Sequence, residues 1–348
     1  MKAWLVRLFS TSPASAAQER AVSRAAAAPA PAIAAPAPRP SVQAEPSQPI
    51  HFPHAIEVAF LAWLIDSPAR VQAPPSAREL RALQRLDRLV ADTNAHQNLL
   101  PRTAAVVPQL LARLRDAGSS TAQLSQYVSR DVTLVAEVMR VANSAHYRRD
   151  TAVVELDHAI RVLGITGLKS AIARSVFRPV FDARGGELVT RSAKRLWEHT
   201  EIKAQLCAEL ARSDGVDPFE GYLMGLVHNA VWSAVLRTMD GVEDEAPWCL
   251  NASLVAALGL RRDRLFEVVA KQWRMSDSLT QLASEVAQRG LAAAVSAPAR
   301  LLCVGDRLAS LLCVPDQMGQ AEAWLASLGE PARKRFEALR QARSEVPA

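Results

Sequence analysis

Apolar residues recur at helical spacing along most of this 348-residue chain, and this periodicity limits the fold more than any other feature. The spacing i, i+3, i+4, i+7 is clear just before Gly118, in Val106, Val107, Leu110, Leu111 and Leu114. Few stretches alternate apolar with polar residues, as a half-buried strand would. Because 49% of the residues are apolar, the chain can also fill a large core. We therefore predict an all-α fold, a bundle of many helices.

Residues 1–48 differ in composition from the rest of the chain. From about Thr11 to Gln48 the sequence is mostly Ala, Pro and Ser, and proline fixes φ and removes a backbone donor. We predict a disordered Ala/Pro-rich tether over residues 1–48, followed by N-terminal packing helices over residues 49–98. The first ten residues lack the apolar core of a signal peptide. A frayed terminus is our preferred interpretation, and a membrane or partner anchor is the alternative.

Charge and cysteine content narrow the possible functions. The net charge of +6 and the pI near 9.4 suggest nucleic-acid binding, but Lys and Arg are mostly interspersed with Asp and Glu along the chain. We therefore expect no nucleic-acid partner. The four cysteines form no CxxC pair, which argues against a disulfide framework or a zinc site and fits a reducing cytoplasm. No apolar run of about 18 residues is present, so we expect no transmembrane segment.

Capping residues mark the start of two central helices. Asp131 stands before an apolar helical face, and Asp217 with Pro218 gives the cap and first turn of another helix. Between them, a helix from about Thr190 to Arg212 carries His199 on the same side as several apolar residues. These signals place the polar residues discussed below on helices.

Four motifs follow one another in the central part of the chain. They are SRDVTLVAEVMRVANSAHY at 129–147, VELDHAIRVLG at 154–164, LWEH at 196–199 and FEGYLMGLVHN at 219–229. In this order they resemble the HDOD family, whose members are non-catalytic relatives of the HD phosphohydrolases. The resemblance implies an HDOD domain over residues 99–294, with C-terminal helices over residues 295–348 completing the bundle. It further implies two helical sub-bundles, one over about Leu99–Phe181 and one over about Thr190–Asp306.

The resemblance also implies a degenerate metal centre. The HD site uses a His, then an adjacent His and Asp, then a later Asp, and the matching positions here are His199, His228, Asn229 and Asp306. An amide at Asn229 is neutral where an anionic ligand is needed, so metal affinity should fall. We therefore predict vestigial metal-site positions, no catalytic residue, no bound metal and no other cofactor. Alternatively, three surviving ligands could hold one ion.

The HDOD signature, by which we mean the motif at 129–147, supplies a second set of candidate residues together with the two residues that follow it. It forms a polar, aromatic and cationic rim that could contact a partner, made of Arg140, Asn143, Ser144, His146, Tyr147, Arg148 and Arg149. For Asn143 and Ser144 we favour a local role, because such side chains commonly bond nearby backbone at the end of a helix.

Two functional hypotheses follow from the resemblance. The first is a non-catalytic, cytoplasmic signalling or regulatory protein of bacteria that acts through protein–protein interaction with an unidentified signalling protein. The alternative is a metal-dependent phosphohydrolase that acts on nucleotides or cyclic dinucleotides with the reduced ligand set His199, His228 and Asp306.

Overall fold

A computed structural model of the protein describes residues 52–68, 75–92, 114, 121–144, 147, 152–181, 185–242 and 248–344. The predicted tether at 1–48 lies outside these residues and stays a prediction. Most of the segment 93–120 also lies outside them. The division of the chain into an HDOD domain and flanking helices remains a prediction as well.

The described residues form helices and the turns between them, which confirms the all-α fold. In chain order the α-helices are α1 His54–Ile65, α2 Ala77–Ala91, α3 Thr121–Ser129, α4 Val132–Ala142, α5 Leu156–Phe181, α6 Glu187–Ser213, α7 Pro218–Asp240, α8 Ala252–Gln272, α9 Asp277–Arg289, α10 Ala297–Cys313, α11 Glu322–Ser327 and α12 Glu330–Ser344. Short 3₁₀ helices lie at Leu291–Ala293 and Pro315–Ala321. Among these helices, none combines the length and the low charge content that a bilayer span requires.

Local sequence signals explain where the central helices begin. The Asp131 carboxylate accepts hydrogen bonds from the first-turn amides of α4, the nearest at 2.7 Å, and Asp217 does the same for α7. Both predicted caps are therefore confirmed. In α5 the helix is kinked at Gly164, whose φ of 63° is readily adopted only by glycine. The kink divides α5 into two helical segments, one on either side of this glycine.

Two sub-bundles result from the packing. Helices α3, α4 and α5 pack together, α6 to α10 form the larger group, and α5 lies against α7. Glycine brings α6 and α7 close, because a Cβ at Gly221 would lie 2.6 Å from the carbonyl oxygen of Cys207. Helix α7 is buried along almost all of its length, so any polar side chain on it needs a partner inside the protein.

Helices α1 and α2 pack on the outside of the larger sub-bundle. Arg195 of α6 holds the end of α1, since its guanidinium donates to the Trp63 carbonyl at 2.8 Å and to Asp66 at 3.0 Å. Asp87 of α2 accepts a hydrogen bond from Arg261 of α8 at 2.5 Å. Helix α1 thereby lies beside the polar centre described next.

Candidate functional site

The structure brings the four predicted metal-site positions together in the interior. His199 lies on α6, His228 and Asn229 lie side by side on α7, and Asp306 lies on α10. The two histidines and the asparagine are fully buried, and the Asp306 side chain is 17% exposed. Two consecutive helices, α6 and α7, and the distant α10 therefore build one polar centre in an apolar surrounding.

A buried lysine lies at the middle of this centre. Lys203 has no solvent exposure, and its ammonium donates to Asp306 Oδ1 at 2.6 Å and to Asn229 Oδ1 at 3.0 Å. It also contacts Nδ1 of His228. Three of the four predicted metal-site side chains therefore bind a lysine cation.

The sequence analysis did not identify Lys203, although a signal for it exists. Lys203 follows His199 by four residues on α6, so both side chains lie on the same face of the helix. That face also carries Leu196 and Leu206, which are buried. A lysine on an apolar helical face, one turn after a candidate metal ligand, is the pattern that indicates an internal ion pair.

Asn229 contacts both Lys203 and His199 through its side-chain amide. Its Oδ1 accepts from Lys203, while its Nδ2 lies 2.8 Å from Nδ1 of His199 and donates to Thr200 Oγ1 at 3.0 Å. An aspartate would offer no donor for these two contacts. Because His199 Nδ1 accepts from the amide, its Nε2 carries the proton and donates to Ser310 Oγ at 3.3 Å. Asn229 therefore connects a neutral histidine to a buried cation.

His228 connects the centre to a second ion pair. Its Nε2 donates to Asp263 Oδ1 at 3.3 Å, which leaves Nδ1 free to accept from Lys203. Arg262 donates to the same Asp263 oxygen at 2.9 Å, and its Nη1 lies 3.5 Å from Asp306 Oδ2. The sequence analysis missed both Arg262 and Asp263, because their burial depends on the packing of α8 and not on a local motif.

The charges of the centre balance. Burial lowers the pKa of His199 and of His228 to about 3, so both imidazoles are neutral at pH 7. Burial by itself would raise the pKa of Asp306, but Lys203 and Arg262 hold it well below its usual range. Burial lowers the pKa of Lys203, and the Asp306 carboxylate beside it opposes that shift. Burial by itself would lower the pKa of Arg262 too, but Asp263 and Asp306 raise it. With both groups protonated, two cations face the two carboxylates of Asp263 and Asp306. This is the arrangement in which buried charges persist, since each is paired and hydrogen-bonded.

Helix α1 covers one side of the centre. The Phe60 ring lies 4.3 Å from the His199 ring, measured between centroids. A cavity of about 290 Å³ remains between α1, α8 and α10, and the charged residues Asp306 and Arg262 of the centre are among those that line it. Most of its wall is apolar, with Phe60, Leu61 and Trp232 among the lining residues.

The residues of the centre do not fit a divalent metal ion as they stand. The oxygens of Asp306 and Asn229 and the ring nitrogen of His228 already bind the Lys203 ammonium, and a second cation at the same atoms would be repelled by it. Within the described ranges, no group of three or more His, Cys, Asp or Glu side chains is placed to hold an ion. The centre is therefore built as an internal ion-pair network.

Comparison with known proteins assigns the chain to a family. The family model described as HDOD domain matches residues 100–288, which is more than half of the chain. The chain belongs to the HDOD family. This match confirms the resemblance that the four sequence motifs carry.

Solved structures and a curated relative show how far the similarity extends. A protein from Shewanella amazonensis SB2B, provisionally named a metal-dependent phosphohydrolase, shares the fold with a TM-score of 0.52 and 16% identity, over 77% of this chain and 99% of that one. An HDOD domain protein of unknown function from Geobacter sulfurreducens matches with a TM-score of 0.49 and 16% identity, over 77% and 96% of the two chains. An uncharacterized protein from Treponema pallidum (strain Nichols) is 26% identical over 136 residues, which is 35% of this chain and a quarter of that relative.

The HDOD signature residues at the end of α4 have local structural contacts. The Asn143 side chain donates to the carbonyl of Val153 at 2.8 Å and accepts from the Val153 amide at 2.8 Å, so it fixes the chain that returns to α5. Ser144 Oγ donates to the carbonyl of Val141 at 2.7 Å. These contacts are the local role that we favour for Asn143 and Ser144.

Other members of the signature line a cavity between the two sub-bundles. Arg140, Ser144 and Tyr147 contribute to the wall of this cavity of about 280 Å³, together with residues of α5, α6, α7, α10 and α12. Arg140 is paired with Glu137 at 2.7 Å. His146, Arg148 and Arg149 lie outside the described residues, so the proposed rim is placed only in part.

Proposed function

We propose that this HDOD protein is a non-catalytic regulatory module of bacterial signalling that acts by binding another signalling protein. One observation carries the proposal: three of the four side chains that the resemblance assigns to the HD metal site, His228, Asn229 and Asp306, bind the Lys203 ammonium. Phosphoester hydrolysis in such a site depends on a metal that lowers the pKa of bound water. A lysine cation hydrogen-bonded on all sides supplies no open coordination position.

Charge distribution supports a protein partner over a nucleic acid. Several exposed cations of α4, α8 and α12 pair with carboxylates three or four residues away, as in Arg140 with Glu137, Lys271 with Glu267 and Lys334 with Glu330. Such a surface gives little attraction for a phosphate backbone. The four cysteines are free and buried, which suits the reducing cytoplasm that we propose as the location of the protein.

A metal-dependent phosphohydrolase is the competing function, because that activity appears in the name of the Shewanella amazonensis structure. The two functions separate on metal content. We expect untagged protein from cells supplied with Mn, Fe, Mg and Zn to carry far less than one metal ion per chain. We also expect no hydrolysis of nucleotides or cyclic dinucleotides.

The Asn229→Asp variant is the informative comparison in this experiment. If the missing carboxylate were the only defect, this variant would gain metal. We expect it to stay empty, since Lys203 remains between the ligands. About one metal ion per chain in the wild type, with turnover that His228→Ala abolishes, would overturn the proposal.

A further inference from the structure

Three of the side chains that the resemblance assigns to the HD metal site surround the Lys203 ammonium. We propose that Lys203 is a resident internal cation that takes the structural place of a divalent metal, and that removing it while restoring a carboxylate at position 229 reopens a site for one divalent ion. This inference rests on the proposed function, because it takes the wild-type centre to be free of metal. It adds that Lys203 excludes the metal even where position 229 carries a carboxylate, and that Lys203 holds the centre together.

The first argument is the complete pairing of the ammonium. A lysine ammonium has three N–H donors, and here three acceptors surround it: Asp306 Oδ1 at 2.6 Å, Asn229 Oδ1 at 3.0 Å and His228 Nδ1. The acceptors come from α7 and α10, while the lysine comes from α6. Lys203 therefore joins three helices through one positive charge, as a bound metal ion would.

The second argument is the chemistry of the acceptors. An imidazole nitrogen, a carboxylate oxygen and an amide oxygen are all metal-ligand types, and they lie around one point at hydrogen-bond distances. Metal–ligand bonds to such atoms are about 2.0–2.2 Å long. Each of the three acceptor atoms would therefore move inward by less than about 1 Å to bind a metal ion at that point. A carboxylate at position 229 would raise the negative charge around that point. One imidazole with two carboxylates then suits a hard divalent ion such as Mn²⁺.

The third argument is the accessibility of the point. Asp306 is the least buried of the three acceptors, and the cavity of about 290 Å³ beside α1 reaches it. Shortening the lysine to alanine would extend this space toward His228. Water and a divalent ion would then have a path from solvent to the ligands.

The test compares four variants with the wild type in the full chain. Lys203→Met keeps most of the side-chain volume and removes the charge, and Asn229→Asp adds the carboxylate alone. The double variant Lys203→Ala with Asn229→Asp does both, and Lys194→Met removes an exposed lysine from the same helix as a matched control. Each is measured for melting temperature in EDTA and in increasing MnCl₂, and for manganese content after gel filtration.

We expect Lys203→Met to lower the melting temperature by roughly 5–15 °C, because it leaves buried acceptors without their cation. Lys194→Met should leave it unchanged. The double variant should retain about one manganese per chain, and its melting temperature should rise with MnCl₂ concentration, as for any ligand that binds the folded state. The Asn229→Asp variant should neither retain manganese nor show a melting temperature that rises with MnCl₂ concentration.

Two results would overturn the inference. One is a Lys203→Met protein as stable as the wild type, which would show that the ammonium does not hold the centre. The other is a helical, folded double variant that retains no manganese. If the wild type itself retained manganese, the proposed function would fail. An empty wild type with an empty double variant would remove only the inference.

Discussion

The charge balance of the centre predicts a large effect for a substitution that hardly changes shape. Asp306→Asn keeps the volume of the side chain but removes one of two carboxylates that face two buried cations. With Lys203 Nζ at 2.6 Å from Oδ1, the pair attraction at an effective dielectric constant of 20 is about 6 kcal/mol. Desolvation of the two ions offsets a large part of this attraction. We therefore expect the free energy of unfolding to fall by about 3–5 kcal/mol, the usual range when one partner of a buried pair is removed.

A double-mutant cycle in urea measures this coupling. The free energy of unfolding is determined for Asp306→Asn, for Lys203→Met and for the two substitutions combined. Removing both charges should cost less than the sum of the single losses, by at least about 2 kcal/mol, because each single variant leaves an unpaired buried charge. The partly exposed pair of Asp87 with Arg261 serves as the control, and Asp87→Asn should cost less than about 1 kcal/mol.

Either of two outcomes would refute this reasoning. An Asp306→Asn protein within about 1 kcal/mol of the wild type would show that the carboxylate does not neutralise buried cations. Additive losses in the cycle would show that Lys203 and Asp306 are not coupled in solution.

Three further predictions follow from other parts of the structure. Gly221→Ala should destabilise the protein by more than about 2 kcal/mol in urea unfolding, since its Cβ would lie 2.6 Å from the backbone carbonyl of Cys207. Asn143→Ala should cost about 1–3 kcal/mol in the same assay, because it removes two partly buried hydrogen bonds between the side chain and the backbone of Val153. Stability should fall as the pH drops from 6.5 toward 3, by up to about 1.4 kcal/mol per pH unit for each of His199 and His228, since the unfolded chain takes up protons that the folded centre excludes.

Each of these predictions has a control. Gly259→Ala should be neutral or stabilising, because no atom lies within 4 Å of its Cβ position on α8. Asn143→Asp keeps the acceptor of the contact and should lose less stability than Asn143→Ala. A His228→Gln variant should show a shallower fall of stability with pH. A Gly221→Ala protein of wild-type stability, or an unchanged pH slope, would contradict the packing and the burial on which the predictions rest.

The sequence predicted some residues of the candidate site and missed others. His199, His228 and Asn229 could be selected before any coordinates, because they lie in the family motifs, and Asp306 because the HD site uses a later Asp. Arg262 and Asp263 could not be selected with the same means, since nothing in the motifs marks them, and Lys203 is marked only by its place one turn after His199 on an apolar helical face. A lysine, an arginine or an aspartate on a helix is ordinarily a solvated residue. Only the packing of α6, α7, α8 and α10 removes these three from water.

The sequence by itself determined the helices and much of the placement of their ends. Helical periodicity depends on neighbours a few residues away, and caps such as Asp131 and Asp217 act on the first turn that follows them. It also determined the family, through motifs of adjacent residues. The tertiary structure alone decided the nature of the centre. A buried cation is stable only where acceptors from several helices meet it, and that meeting depends on contacts between Lys203 and Asp306, which lie 103 residues apart in the chain.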